Sequence, residues 1–255
     1  MYIDTHAHLN FEAFKDDYKN AIRRAFDANV KGIINVGSNL ETSEKALRIA
    51  REYLNEDIYA AIGLHPIHVK DEEFNYNKFL ELARDSKVVA IGETGADLYH
   101  DKNTIEIQRD VFEKSLRIAT QVKKPVIIHC REGEEYIQAW FTGIKNLPKG
   151  VFHCFSGNQE FADFVLSMGF YISFTGIITF SKSPKVLDVV KHIPLEKILI
   201  ETDCPYLTPE PYRGKQNEPA YVVEVAKKIA EIKNIPLEEV ETATTLTAKE
   251  LFGII

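Results

Sequence analysis

Cysteine is scarce in this chain of 255 residues: Cys130, Cys154 and Cys204 are the only three, and no Cys-x-x-Cys spacing occurs. An odd number cannot all pair within one chain, so structural disulfides are not expected and a reducing compartment is. No run approaches the roughly 20 apolar residues that span a bilayer. The chain enters a strand-like run by Tyr2, without room for a secretory leader, and a cytoplasmic location with no membrane contact is expected. Positive charge is in deficit, with 31 Lys and Arg against 38 Asp and Glu and a net charge of −7. That balance argues against a broad electrostatic grip on nucleic acid, although a small pocket could still hold one phosphate. There is no Ser/Gly linker, charge block, low-complexity segment or internal repeat, so one domain spanning 1–255 and a monomer are expected. Hydrophobic residues at 45% and charged residues at 27% are the balance of a soluble protein with a sizeable core.

What the chain does have is a regular alternation. Eight β-rich runs can be marked: Tyr2–His6, Gly32–Val36, Ile58–Gly63, Val88–Gly92, Pro125–His129, Gly150–Cys154, Phe170–Phe174 and Lys197–Thr202. They are nearly all apolar, as expected of strands buried on both faces. Apolar residues at helical spacing fill the gaps, in Ala21–Asn29, Thr42–Tyr53, Tyr76–Asp85, Thr104–Val122 and Tyr136–Lys145. Asn158 is placed to cap Phe161–Met168, which Gly169 ends, and Ser183–His192, Tyr221–Lys233 and Thr242–Phe252 complete the set. A doubly wound open sheet shows the same alternation, but the first βα turn lacks a Gly-x-Gly-x-x-Gly fingerprint. The expected fold is a single (β/α)8 TIM barrel.

Six residues that bind divalent metals well stand at the ends of these runs. They are His6 and His8, Glu93, His129, His153 and Asp203, at the carboxyl ends of strands one, four, five, six and eight. In an open sheet these ends could not all reach one point, whereas in a closed barrel they face one mouth, where barrel enzymes keep their active sites. Taken singly, each has an ordinary reading: a hydrogen-bonded core histidine, a salt-bridged carboxylate, a helix cap. Their joint occurrence points to a metal site. In a strand, residues i and i+2 share a face, so His6 and His8 can grip one ion together. Four imidazoles and two carboxylates suit two divalent ions, with Glu93 as a natural bridge because each of its oxygens can take one. Imidazole-rich sets favour Zn, Mn, Ni or Fe, and the carboxylates keep Mg possible. Each cysteine directly follows a candidate donor; alternation points Cys130 and Cys154 away, so all three are read as small core residues.

The motifs that surround these residues are similar to those of TatD-family metal-dependent hydrolases of the amidohydrolase superfamily. The match runs through Asp4-Thr5-His6-Ala7-His8, Asn35-Val36-Gly37, Gly63-Leu64-His65-Pro66, Ile91-Gly92-Glu93-Thr94-Gly95-Ala96-Asp97 and His129-Cys130-Arg131. It continues in His153-Cys154-Phe155-Ser156-Gly157, Tyr171-Ile172-Ser173-Phe174, Glu201-Thr202-Asp203-Cys204-Pro205-Tyr206-Leu207 and Arg213-Gly214-Lys215-Gln216-Asn217-Glu218-Pro219. The resemblance implies His6, His8, Glu93 and Asp203 on one metal, and Glu93, His129 and His153 on the second. It implies metal-dependent hydrolysis of DNA, typically as a 3′→5′ exodeoxyribonuclease. The chain departs from the family's usual Gly-Leu-Asp-Tyr-Tyr with Gly95-Ala96-Asp97-Leu98-Tyr99-His100, and from its usual basic residue at Gln216. Both departures bear on substrate rather than metal.

Divalent ions lower the pKa of water toward about 7 and share the charge of attacking and leaving oxygens. Asp203, on one ion only, keeps an oxygen to accept the water's proton and is the candidate general base. His65, at the mouth of the third strand, is a candidate to orient the phosphate or protonate the leaving group. Arg131, Arg213 and Lys215 are candidate phosphate grips, since a guanidinium can hold a phosphate in two places. Asp97 is read as orienting a ligand or touching substrate. Asp4, alternating with His6, should point into the barrel, either to orient a ligand or to form a buried ion pair. His68, His100 and His192 are read as surface or loop residues. The substrate is then DNA or a small phosphoester. The same water could attack a cyclic amide or lactone, which would not need the basic trio, while a scaffold without turnover would not need a general base.

Overall fold

The computed structural model describes residues 1–144 and 146–254. Eight parallel strands pair in chain order: β1 (Tyr2–Ala7), β2 (Val30–Val36), β3 (Asp57–Ile62), β4 (Val88–Asp97), β5 (Val126–Arg131), β6 (Gly150–Phe152), β7 (Tyr171–Phe174) and β8 (Ile198–Ile200). The ring is nearly closed beyond β8, where Ala7 bridges to Cys204. There the Asp203 N–H donates to the His6 carbonyl at 2.8 Å and the His8 N–H to the Cys204 carbonyl at 2.9 Å. The expected single-domain (β/α)8 TIM barrel is what the chain forms.

The helices on the outside are α1 (Tyr18–Asp27), α2 (Leu40–Glu52), α3 (Tyr76–Ala83), α4 (Ile105–Val122), α5 (Glu134–Thr142), α6 (Gln159–Ser167), α7 (Ile177–Phe180), α8 (Pro184–His192), α9 (Val222–Lys233) and α10 (Leu237–Phe252). Asn158 caps α6 as expected, accepting the Phe161 N–H at 2.9 Å. Asn39 and Thr42 form a reciprocal capping box on α2, which satisfies two of the donors that a helix start leaves unpaired. The one-turn α7 was not expected, and α10 starts at Leu237 rather than Thr242. Lys145, the expected end of the fifth helix, lies outside the described residues. Among the described residues no helix is long and apolar enough to cross a membrane.

Apolar burial divides into two layers. The larger lies between strands and helices and includes Ala7, Ile33, Phe112, Phe152 and Ile200. The smaller fills the barrel's interior with Ile3, Ile34, Val89, Ile127, Val151 and Leu199, and is closed from below by Ala248, Leu251 and Phe252 of α10. The opposite end, where the strands' carboxyl termini emerge, is left to polar residues.

Two irregularities in register decide which residues reach that mouth. Between Asp4 and Ala7, β1 carries three steps against two in β2, where Asp4 pairs with Ile33 and Ala7 with Asn35. An extra residue of this kind reverses the facing of everything after it. Ile3 therefore faces the interior while Ala7 faces the outer layer, and His6 and His8 turn inward. The expectation that Asp4 points the same way as His6 by simple alternation fails for this reason. The same happens in β4, where Ile91 pairs with Val126 but Thr94 with Ile128. Gly92 sits at that irregularity with φ 151°, and an added Cβ would lie 2.5 Å from the Ile127 carbonyl oxygen. Only glycine fits there, and its neighbour Glu93 swings into the barrel.

Candidate metal centre

The six candidate donors converge at the mouth, and His65 joins them. His6 Nε2 and His8 Nε2 are 3.2 Å apart. Asp203 Oδ1 stands 3.3 Å from His8 Nε2 and 3.7 Å from His6 Nε2. Glu93 Oε2 lies 3.3 Å from His6 Nε2 and 3.9 Å from His8 Nε2. The other Glu93 oxygen faces a second group: His153 Nε2 at 2.6 Å, His65 Nε2 at 3.1 Å and His129 Nδ1 at 3.2 Å. His129 Nδ1 and His153 Nε2 are themselves 3.1 Å apart. Glu93 thus stands between two donor groups, one oxygen toward each.

Two of the four expected histidine donors, His8 and His129, are hydrogen-bonded from behind, and His153 has a carboxylate behind it beyond hydrogen-bond distance. His8 Nδ1 is 2.8 Å from the Val36 carbonyl; it must donate there, which leaves the Nε2 electron pair facing Asp203. His129 Nε2 is 3.1 Å from the buried Asp97 Oδ2, leaving Nδ1 for Glu93. His153 Nδ1 lies 3.6 Å from Glu201 Oε1. His6 Nδ1 is buried without a hydrogen-bond partner among the described residues, and its ring stacks on His153 with centroids 4.2 Å apart. His65 is turned the other way. Its Nδ1 accepts the Ile67 N–H at 3.1 Å, so the proton of the neutral ring sits on Nε2, aimed at Glu93.

Burial opposes charge on every one of these groups, and the neighbours decide the outcome. For Glu93, the surrounding histidines outweigh burial and hold the carboxyl well below its usual range. For His153, burial is outweighed by Glu93 and Glu201, and the pKa rises well above the ordinary imidazole value. His129 rises because Asp97 and Glu93 overcome its burial, and His8 because Asp203 does. Asp203 is held below its usual value, against its burial, by His8 and His6. At His65 burial wins and the pKa falls to about 4. That ring is neutral at pH 7 and serves as a fixed N–H donor.

Electron-pair donors are crowded here, and among the described residues no Lys or Arg forms an ion pair with any of them. Ligands each about 2.1 Å from one ion stand about 3.0 to 3.4 Å apart, close to most of the separations above. The donor set is therefore chemically suited to divalent cations, and three overlapping triads (His6–His8–Asp203, His6–Glu93–His153 and His65–Glu93–His129) each gather within 4.8 Å.

The basic candidates sit apart from this cluster. Arg131 ends β5, is exposed, and lies with its guanidinium carbon 3.7 Å from the Tyr99 ring centre. Arg213 lies 3.9 Å from the Phe180 ring centre and donates to the Thr208 carbonyl at 2.7 Å. Lys215 is exposed, 5.7 Å from the Tyr212 ring centre. The buried Asn217 holds their loop to the barrel through the carbonyls of Thr202 and Tyr206. Asp97 is fully enclosed and also accepts from half-exposed His100, whose Nδ1 is 2.8 Å away. Asp4 lies in the β1–β8 seam, accepting the Thr202 N–H and O–H at 2.9 and 2.6 Å. The cysteines are unpaired. Cys204 belongs to the outer core, Cys130 packs against it, and Cys154 is half-buried with its sulfur 3.7 Å from Thr175 Oγ1.

One buried carboxylate was quoted in a motif but given no role from the sequence: Glu201, hidden in an apolar strand-end run. Its presence there was itself the available signal, because an acidic residue inside such a run needs a partner.

The profile of the TatD related DNase family matches residues 3–253. The chain is 44% identical to the metal-dependent hydrolase YabD of Bacillus subtilis, over the full length of both. It is 34% identical to the 3′-5′ ssDNA/RNA exonuclease TatD of Shigella flexneri, covering 98% of each chain. Among solved structures, the Escherichia coli TatD homologue YJJV superposes with a TM-score of 0.88 at 30% identity, covering all of this chain and 98% of that one. A TatD-family hydrolase from Entamoeba histolytica gives 0.84 at 25% identity, over 100% and 98%.

Proposed function

Since the chain belongs to the TatD-related DNase family and is a metal-dependent hydrolase, we propose that it cleaves phosphodiester bonds of DNA from the 3′ end, with two divalent ions that would share Glu93 as a ligand. The observation that carries this reading is the position of Glu93, one oxygen toward His6 and His8, which Asp203 flanks, and the other toward His65, His129 and His153. The name of the Shigella relative supports the choice of nucleic acid.

In this reading, His6, His8, Glu93 and Asp203 would hold one ion, and Glu93, His129 and His153 the other. The ions, when bound, acidify water toward a pKa of about 7 and share the charge that develops on the phosphoryl oxygens. Asp203 contributes Oδ1 to the first group, while its second oxygen has no hydrogen bond among the described residues. That free oxygen accepts the attacking water's proton, so Asp203 is the general base. His65, neutral at pH 7, presents its Nε2–H to a phosphoryl oxygen and orients it rather than protonating the leaving group. Asp97 keeps His129 in the tautomer that leaves its Nδ1 electron pair free, the pair that would bind an ion. Arg131, Arg213 and Lys215 meet the phosphates that follow the cleaved one.

The test is to strip the protein, reload it separately with Mg, Mn and Zn, and offer end-labelled single- and double-stranded DNA beside a small chromogenic phosphodiester. Release of mononucleotides, absent in Asp203→Asn, is expected. Inertness toward every phosphodiester with every metal removes the reading, and activity on a cyclic amide or lactone alone replaces it.

A further inference from the structure

We propose that Glu201 is a positioning residue which fixes the His153 ring with its proton on Nδ1 and its Nε2 electron pair toward a cation; the inference rests on the two-ion reading above. Glu201 follows β8 directly and is 1% exposed. Its Oε1 accepts the Cys154 N–H at 2.6 Å and its Oε2 accepts the Ser173 O–H at 2.6 Å. Those bonds tie the ends of β6, β7 and β8 together and fix the carboxylate's orientation. They come from neutral donors, however, and leave its charge uncompensated. Among the described residues the ionisable nitrogen within ion-pair reach of Glu201 is His153 Nδ1, 3.6 Å from Oε1.

That nitrogen is itself buried and has no hydrogen-bond partner among the described residues. An unpaired buried nitrogen therefore faces a carboxylate whose oxygens are hydrogen-bonded but whose charge has no counter-ion, and closing the gap by about half an ångström makes a hydrogen bond. A carboxylate behind an imidazole selects the tautomer, holds the ring plane and makes the forward nitrogen a better donor. Asp97 stands in the same relation to His129 at 3.1 Å. Of the three histidines beside Glu93 Oε1, His129 and His153 would thus be backed by a carboxylate and His65 by a backbone N–H, whereas His8, on the other side, is backed by a neutral carbonyl. A purely structural brace between strands would work equally well with a neutral amide, and this is the contrast that a test can exploit.

The experiment uses the zinc-loaded full chain with nitrogen-15-labelled histidine, compared as wild type, Glu201→Gln and Ser173→Ala. In the wild type, His153 is expected to show a downfield, slowly exchanging Nδ1–H resonance and nitrogen shifts of an Nε2-bound ring. Glu201→Gln moves that resonance upfield, speeds its exchange and weakens the second zinc equivalent by about 10- to 100-fold in titration calorimetry, leaving the first unchanged. Ser173→Ala keeps the charge, so the resonance stays downfield and zinc affinity falls less. A wild-type ring protonated on Nε2 overturns the inference, and so does a Gln variant with wild-type zinc affinity and an unmoved resonance. If the Gln variant does not fold, the wild-type tautomer and the Ser173→Ala resonance decide instead. If the wild type takes one zinc only, it is the two-ion reading that fails, while the His153 resonance still decides Glu201.

Discussion

At the floor of the barrel, Ile3, Ile34, Val89, Ile127, Val151 and Leu199 pack against Ala248, Leu251 and Phe252 of α10. At the mouth, within a few residues along the same strands, stand five imidazoles and the carboxylates of Glu93 and Asp203. The floor is an ordinary stabilising device: each buried side chain contributes about 1.5–3 kcal/mol, and the layer carries no group that requires a ligand. The mouth is the reverse. Its groups are desolvated and held together, and without cations they depend on one another for compensation. One end of the barrel supplies the stability against which the other can be kept primed for binding, and each can be damaged without the other.

The largest effect is expected from Glu93→Ala. Both donor groups lose their shared carboxylate, so stoichiometric ion binding and several kcal/mol of transition-state charge stabilisation disappear together. Hydrolysis should fall at least about a thousandfold by the conversion of 1.36 kcal/mol per decade, with the denaturation midpoint of the metal-free protein nearly unmoved. A large drop in that midpoint would mean that the mouth, too, carries the fold. Next comes Phe252→Ala, which opens a cavity under the barrel and should cost about 3–5 kcal/mol of stability. Its activity per folded molecule, corrected by zinc titration, should match the wild type. A matching loss of activity would break the separation of the two ends.

How much of this could be read from the chain alone follows the same divide. The barrel and its six donors were legible, because apolar runs ending in His, Glu or Asp are local patterns. The direction in which those donors point was not. Strict alternation from Ile3 would have sent His6 and His8 outward, and only the irregular pairing of β1 with β2 turns them in. Register between strands is a property of two distant segments, so no window on one of them reveals it. Glu201 was passed over because the run around it reads as a strand end, and its partners come from distant segments, Ser173 from β7 and Cys154 from just after β6. His65 was recognised, but its role as a fixed donor depends on the backbone amide of Ile67, which the sequence does not display. α10 was found as a helix, but not as the plug of the floor.

A smaller effect belongs to the rim. Arg131→Ala removes an exposed cation already stacked on Tyr99. The KM for DNA should rise modestly and the slope of log affinity against log salt should lessen by about 1, while turnover of a small chromogenic phosphodiester is unchanged. An equal loss on the small substrate would place Arg131 with the chemistry at the mouth instead of with the polymer.

The smallest effect is the most exacting, because it is an expected absence. Saturating zinc at about a thousand times its dissociation constant should stabilise the folded chain by about 4.1 kcal/mol for each ion bound. If the floor and the mouth are energetically separate, the same increment should appear in Phe252→Ala, since distant sites without shared partners add to within about 0.3–0.5 kcal/mol. The four denaturation curves, wild type and variant with and without zinc, form a cycle whose closure error measures the coupling. Both layers hang on the same strands: Ile3 lies in the floor three residues before His6, and Ile127 two before His129. A coupling well above that range would show that the strands transmit packing strain from the plug to the donors. α10 would then belong to the working parts of the site as well as to its foundation.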